Sequence, residues 1–205
     1  MEKVEWQNVI EAIINDNVEK LSFLVPSRTS FDSIIPLDLE PKFKFFLMNE
    51  THSLLTFASK SNSTKCAIFL AKGSSDINYK SSSLLTAYLY AVLNNNVELV
   101  NYFIERQGTD LNVTDRQGLY ALHIAASNGF DQLISIFLTR KIYDPNLFTI
   151  SDFNSETALI ISLKTGHKNS FNILLKHGAT PDLPSSRSVY PLHEAIEAND
   201  QEFLQ

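Results

Sequence analysis

A small residue returns along this chain at nearly constant spacing: Ala58, Ala91, Ala125, Ser162 and Ala195 stand 33, 34, 37 and 33 residues apart. A period of this size prescribes a stack of equivalent supersecondary units, none of which can bury its apolar face alone. The clearest unit runs from Asp115 to Leu138. It carries Gly118, Tyr120, Leu122, His123, Ala125, Ala126 and Gly129, then Leu133, Ile134, Phe137 and Leu138. A second copy has Thr157, Leu159, Ser162, Gly166, His167, Phe171, Leu174, Leu175, Gly178 and Ala179. A third has Tyr190, Pro191, Leu192, His193 and Ala195, with Asn199 where Gly129 and Gly166 stand. Two weaker copies precede them: Thr86 to Ala91 with Asn95, Leu99, Val100, Phe103 and Ile104, and Ser53 to Ala58 with Asn62, Cys66, Phe69 and Leu70.

Each copy spells two short helices. The first is a compact segment whose small residue lets a neighbouring helix come close, and it ends at Gly or Asn, residues that tolerate the left-handed conformation. The second spaces its apolar residues at helical period, as in Leu133, Ile134, Phe137 and Leu138. Turns rich in Gly, Asp and Asn follow at 73–78, 108–112 and 178–182. The expected fold class is all-α, a solenoid of stacked helix-turn-helix units joined by hairpin-like turns.

The segments Tyr-Ala-Leu-His-Ile-Ala-Ala from Tyr120 and Tyr-Pro-Leu-His-Glu-Ala from Tyr190 resemble the Thr-Pro-Leu-His-x-Ala-Ala signature of ankyrin repeats. Leu-Leu-Lys-His-Gly-Ala-Thr-Pro-Asp from Leu174 is similar to the ending of that repeat. The resemblance spans roughly 49–205, as about four full repeats and one truncated at the C-terminus; the motif's Gly-x-Thr-Pro start is missing from the first two copies. Residues 1–48 read as a degenerate N-terminal capping unit. Trp6, Val9, Ile10, Ile13 and Ile14 share an apolar face, Asn15-Asp16-Asn17 turns the chain, and Leu21, Phe23 and Leu24 follow. Ala12 precedes Ala58 by 46 residues, so about 13 residues are inserted. The Pro-containing stretch from Pro26 to about Pro41 reads as the inserted loop, and Lys42 to Met48 as an extra helical turn. The end at Gln205 falls inside a second helix, so the natural chain is expected to continue.

Several function classes fall away on composition. Seventeen Lys and Arg against twenty-three Asp and Glu give a net charge of −6, without a basic run for nucleic acid or an anionic membrane. The charged N-terminus does not read as a signal peptide, and no apolar run approaches the roughly 20 residues that span a bilayer. Cys66 stands alone, which rules out an intrachain disulfide and a multi-cysteine metal site. A monomeric cytoplasmic protein is expected, with the nucleus left open. No Gly-x-Ser-x-Gly elbow and no glycine-rich phosphate loop occurs. His52, His123, His167, His177 and His193 form no close-spaced ligand set, so neither metal nor cofactor is expected. His52 reads as the freest of the five. Cys66 aligns with Leu133 and belongs in the core. No enzyme is expected within these residues.

The resemblance carries further expectations. The histidine of the motif implies a structural hydrogen bond between adjacent turns at His123 and His193. Asn78 and Asn112, each with an aliphatic residue eight positions earlier, resemble the context of asparagine hydroxylation, or are simply turn residues. Partners of such repeats are protein, docking on a concave face of turn tips and first helices. By alignment that face holds Leu85, Leu93 and Asn94 in one copy and Arg116, Gln117, Leu119, Ser127 and Asn128 in the next. The following copy supplies Phe153, Asn154, Glu156, Lys164 and Thr165, and the last Arg187, Val189 and Glu197. Leu85, Leu119 and Val189 form either an exposed apolar stripe or contacts between neighbouring turns. The interval of 37 places three extra residues in one hairpin, where Phe148 and Ile150 alternate as in a two-stranded finger. That finger is a contact element or a tolerated insertion. The leading functional expectation is a protein-interaction scaffold or adaptor. The alternative is a regulatory or substrate-recruiting segment of a longer enzyme, such as a kinase or ubiquitin-ligase component.

Overall fold

The computed structural model describes residues 3–25, 33–36, 50–73, 76–150, 155–188 and 190–191. These form ten helices and no strand longer than a single bridge. In order they are α1 (Lys3–Ile14), α2 (Val18–Leu24), α3 (Leu54–Lys60), α4 (Thr64–Gly73), α5 (Ala87–Leu93), α6 (Val97–Glu105), α7 (Ala121–Ser127), α8 (Asp131–Thr139), α9 (Ala158–Lys164) and α10 (Lys168–Lys176). The chain divides into two compact units, Met1–Leu111 and Asn112–Gln205. The first holds the helix pairs α1/α2, α3/α4 and α5/α6, and the second α7/α8 and α9/α10. Within each unit, first helices pack on first helices (α3 on α5, α7 on α9) and second on second (α4 on α6, α8 on α10).

The first helices α3, α5, α7 and α9 each start at a residue in extended conformation: Ser53, Thr86, Tyr120 and Thr157. The hydroxyls of Ser53, Thr86 and Thr157 accept the N–H of Thr56, Leu89 and Ile160, each covering one of the four donors a helix leaves open at its start. Six consecutive residues after each cap, such as Ala121–Ala126, are buried, so the first helix is enclosed on every face. Its small residue is fully enclosed at Ala58, Ala91, Ala125 and Ser162. Ala195 lies outside the described residues. The second helices are one-sided. In α8, Leu133, Ile134, Phe137 and Leu138 are buried while Gln132 and Thr139 face solvent. Cys66 is buried on the matching face of α4, and burial, with Asp16 nearby, pushes its thiol up to about 12.

Between the two helices of each pair the backbone turns left-handed at Asp16, Asn62, Asn95, Gly129 and Gly166, with φ between 48° and 74°. The position serves stacking as well as turning. The Asp16 carboxylate accepts the N–H groups of Lys65 and Cys66, at 3.2 and 2.8 Å, in the first turn of α4. Asn96 Nδ2 donates to Asn62 Oδ1 and Thr64 Oγ1, both at 2.7 Å. His167 Nε2 donates to Ser127 O at 3.1 Å, and its ring lies where a side chain on Gly129 would stand.

The hairpin side corrects one reading. Ser33–Pro36 is not plain loop: Ile35 N–H donates to His52 O and Leu54 N–H to Ser33 O, at 2.9 and 3.2 Å, around an antiparallel bridge of Ile34 with Ser53. Thr114–Tyr120 and Phe148–Thr157 make the equivalent bridges. Their partners are 19, 6 and 9 residues apart, so the excess over the shortest is 13 and 3. Both insertions therefore sit inside hairpins, beyond a bridge that does not change. The helical turn expected at Lys42 to Met48 lies outside the described residues.

Because Ala125 is fully enclosed where α7 meets α9, Ala125→Leu should destabilise the protein by roughly 1–3 kcal/mol. Denaturant unfolding of the variant, read against wild type at unchanged slope, checks it.

Candidate functional site

The side of each unit carrying hairpin tips and first-helix ends holds the residues the sequence points to. Tip turns are tied to their neighbours by backbone hydrogen bonds. In the first unit, Ser82 N–H donates to Thr51 O at 3.3 Å, while Thr51 N–H donates to Ser82 Oγ at 3.1 Å. In the second, Ser186 N–H and hydroxyl make the same pair with Ser155, at 3.1 and 2.9 Å. The lengthened hairpin makes its bond from a different place: Ile150 N–H donates to Gly118 O at 2.9 Å. Gly118 has φ of 79°, and a Cβ there would stand 1.5 Å from Ile150 O, so glycine is required on two counts.

Of the predicted contact residues, Leu93, Asn94, Arg116, Gln117, Asn128, Phe148, Ile150, Lys164, Thr165 and Arg187 are exposed. Ser127 and Glu156 are half-buried. Phe153, Asn154, Val189 and Glu197 lie outside the described residues. Leu85 and Leu119, for which an exposed stripe and contacts between turns were both open, are half-buried. The exposed leucine is Leu84, 48% accessible, at φ 64°. It occupies the left-handed tip position that Gly118 and Ser188 hold elsewhere, a conformation uncommon for a bulky residue. The finger alternates as expected, with Phe148 and Ile150 outward (36% and 61% exposed) and Thr149 inward. Thr149 N–H donates to Glu156 O at 2.9 Å, and Glu156 N–H to Thr149 Oγ1 at 3.1 Å.

Sequence reading missed two polar arrangements. Lys60 and Lys164 end α3 and α9, and each pairs with a glutamate of the hairpin leading into its own helix, Glu50 and Glu156. Around Glu50 the pair widens. Lys60 Nζ lies 2.9 Å from Oε2, His52 Nε2 and Tyr90 OH each 3.3 Å from it, and the Ser83 hydroxyl bonds Oε1. Burial works to raise the Glu50 carboxyl, but hydrogen bonds from Ser83 and Lys60, together with the Lys60 charge, hold it below its ordinary value. Burial, more than the nearby carboxylate, pushes the Tyr90 phenol up to about 12. His52 is fully enclosed beside Phe57 and Tyr90, so it is not the freest histidine. Glutamate and lysine are ten residues apart in one pair and eight in the other, so no fixed spacing marks them in the sequence.

His123 is wholly buried. Its Nδ1 accepts the N–H of Tyr120 at 3.3 Å, and Nε2–H donates to Leu147 O of the next hairpin at 2.9 Å. His193 lies outside the described residues. Asn78 is similarly employed: Nδ2 donates to Gly108 O and Oδ1 accepts Asp110 N–H, both at 2.8 Å. Among the described residues no group of His, Cys, Asp and Glu is placed to hold a metal ion. None of the described helices is long and apolar enough to cross a membrane.

This repeated geometry can be set beside known proteins. A family profile described as ankyrin repeats (3 copies) matches residues 88–185 and 122–205. The chain belongs to the ankyrin-repeat family. Curated relatives include the human transient receptor potential cation channel subfamily A member 1, 29% identical over 115 residues, 56% of this chain and 10% of that one. Palmitoyltransferase AKR1 of Lachancea kluyveri is 30% identical over 145 residues, 70% of this chain and 20% of that one. The chain thus spans a tenth to a fifth of the length of these two relatives. Among solved structures, an ankyrin repeat domain from Acinetobacter baumannii aligns over 95% of this chain and 93% of its own (TM-score 0.75, 22% identity). The ankyrin repeat domain of Bcl-3 aligns over 96% and 82% (TM-score 0.77, 18% identity). These similarities establish an all-α ankyrin fold, a fold whose general role is protein binding.

Burial pulls the His123 imidazole down to about 4, against the Leu147 carbonyl and the Asp115 and Glu156 charges, which favour protonation. The unfolded chain therefore binds this proton first. The neutral buried ring contributes stability in full above pH 6.5, lost progressively as pH falls from 6.5 towards 4. The loss should reach about 3 kcal/mol. Unfolding free energies of wild type and His123→Gln across that window check it, the variant showing the shallower slope.

Proposed function

We propose that this chain works by binding a partner protein through its hairpin tips and first-helix ends, as a scaffold or adaptor without catalysis of its own. The carrying observation is the exposure pattern. The six residues after the caps of α3, α5, α7 and α9 are enclosed, while Leu84 and Leu93 in the first unit and Phe148 and Ile150 in the second remain accessible. A single exposed apolar residue has no special meaning, but recurrence at the tips and first-helix ends of a repeat scaffold is the usual ground for recognition. In the second unit Arg116 and Gln117, on a tip, and Asn128, at the end of α7, add exposed polar groups. The scaffold acts as a monomer in the cytoplasm or nucleus, on a protein rather than on nucleic acid or a membrane.

A second reading is favoured by the relatives. They are several times longer than this chain, and a palmitoyltransferase is among them. On that reading the repeats recruit or regulate for a longer enzyme, and the same tip face is used.

Binding energy concentrates in a few apolar and Arg anchors, each often costing about 2 kcal/mol on truncation. Arg116→Ala with Ile150→Ser should therefore weaken capture of a genuine partner by at least about tenfold and leave the melting curve intact. Gln132→Ala with Ser135→Ala, on the outer face of α8, should have little effect. Quantitative affinity capture with the three proteins checks it, and loss confined to the outer-face variant rejects the tip surface.

A further inference from the structure

The turn between the helices of a pair carries an asparagine just before its left-handed residue in three copies: Asn15-Asp16, Asn94-Asn95 and Asn128-Gly129. All three asparagines are exposed. The pairs differ at the second residue. Asp16 and Asn95 cover their backbone nitrogens with a side chain, and their N–H groups donate to Ile13 O and Val92 O, both at 2.9 Å. Gly129 has no side chain, and its N–H reaches Ala126 O only at 3.4 Å. The nitrogen after Asn128 is therefore the barest and least firmly held of the three, and Asn128-Gly129 is the single Asn-Gly pair of the sequence. The turn still restrains it. Asn128 Nδ2 donates to Ile124 O at 2.8 Å, and ψ of 2° at Asn128 keeps its Cβ and the Gly129 nitrogen apart about the Cα–C bond. From the next turn, the His167 ring stands where a Cβ on Gly129 would be, and its Nε2 donates to Ser127 O at 3.1 Å.

We infer that Asn128 is a site of spontaneous deamidation, with water as co-reactant and opening of the α7–α8 turn as its gate. In the opened turn the Gly129 nitrogen gives its proton to solvent hydroxide and attacks Asn128 Cγ. Attack from within the chain replaces an encounter between separate molecules, and glycine leaves both the nitrogen and the backbone free to swing. The Cγ–Nδ2 bond breaks, ammonia leaves, and a five-membered imide closes. Water then adds to one of the two imide carbonyls and breaks its bond to the Gly129 nitrogen. The product is aspartate, or isoaspartate with the chain running through Cβ and Cγ. In balance, amide and water become carboxylate and ammonium, and nothing is oxidised or reduced. Either product places a negative charge at the end of α7. Isoaspartate also adds a methylene to the backbone of the turn against which His167 packs. The inference stands independently of the partner-binding reading.

The test is prolonged incubation of the full chain in mildly alkaline buffer, read by mass spectrometry of its peptides and enzymatic labelling of isoaspartate. The Asn128 peptide should gain one mass unit ahead of those carrying Asn15 and Asn94, with isoaspartate among its products. In denaturant, where no turn has to open, the gain should be at least about tenfold faster. His167→Ala, which removes the ring and the bond to Ser127, should speed conversion at Asn128 in native buffer and leave its rate in denaturant unchanged. Asn15 and Asn94 serve as internal controls, because global unfolding of that variant would speed all three. The inference is overturned if Asn15 or Asn94 converts first in the folded chain, or if the carboxylate at Asn128 forms without isoaspartate. It is equally overturned if Asn128 reacts as fast folded as denatured, or if His167→Ala either leaves its rate unchanged or speeds all three sites alike.

Discussion

Everything in this protein depends on first helices coming close enough to leave no room for a side chain larger than a methyl or hydroxymethyl group. Ala58, Ala91, Ala125 and Ser162 are fully enclosed at that approach. Close approach enclosed the six residues after each cap, and most of their polar groups are answered internally, Thr56 by Ser53 O, Ser162 by Leu159 O and His123 by Tyr120 and Leu147, while the Ser59 hydroxyl is left without a partner. An unanswered polar group in such a place costs about 1–3 kcal/mol. The depressed titration of His123 and the spacing of the repeat share this one cause.

The second dependency is polar. Stacked helix pairs could slide along their axes if apolar contact alone held them. Side chains near the left-handed turn prevent this by bonding from one repeat to another: Asp16 to the start of α4, Asn96 to Asn62 and Thr64, His167 to Ser127, Ser170 to Asp131 at 2.5 Å. Different residue types perform the task, because each has only to reach a donor or acceptor whose position the turn has already set. Tip-to-tip bonds do the same at the other end of the helices.

What the sequence made legible follows this division. Small residues, caps and left-handed turns are enforced by close packing and backbone geometry, which tolerate few residue types, so Ala125, Thr157 and Gly129 announced their roles. The inward position of Cys66 and the bridging role of His123 were equally readable. The tip surface was read less well. Leu84 and Leu85 are adjacent leucines, and only the backbone dihedral at Leu84 decides which points outward. His52 looked free because it precedes the first helix, yet the Tyr90 ring of the neighbouring repeat and Glu50 of its own hairpin close over it. The bridge at Ile34 was not legible, since a single bridge leaves little mark on composition.

That bridge has a consequence for how such a chain can change. Ile34 with Ser53, Thr114 with Tyr120 and Phe148 with Thr157 close their hairpins at one level whatever the length beyond. Growing the longest hairpin from the shortest adds a closure cost of only about 1–2 kcal/mol, because that cost rises with the logarithm of length. Where growth disturbs the tip lattice, a neighbouring amide takes over, as Ile150 does towards Gly118. The bridge works as a hem: cloth can be let out below it without altering the garment above. Reach and surface chemistry at the tips are thereby free to diverge between repeats that share one helical scaffold.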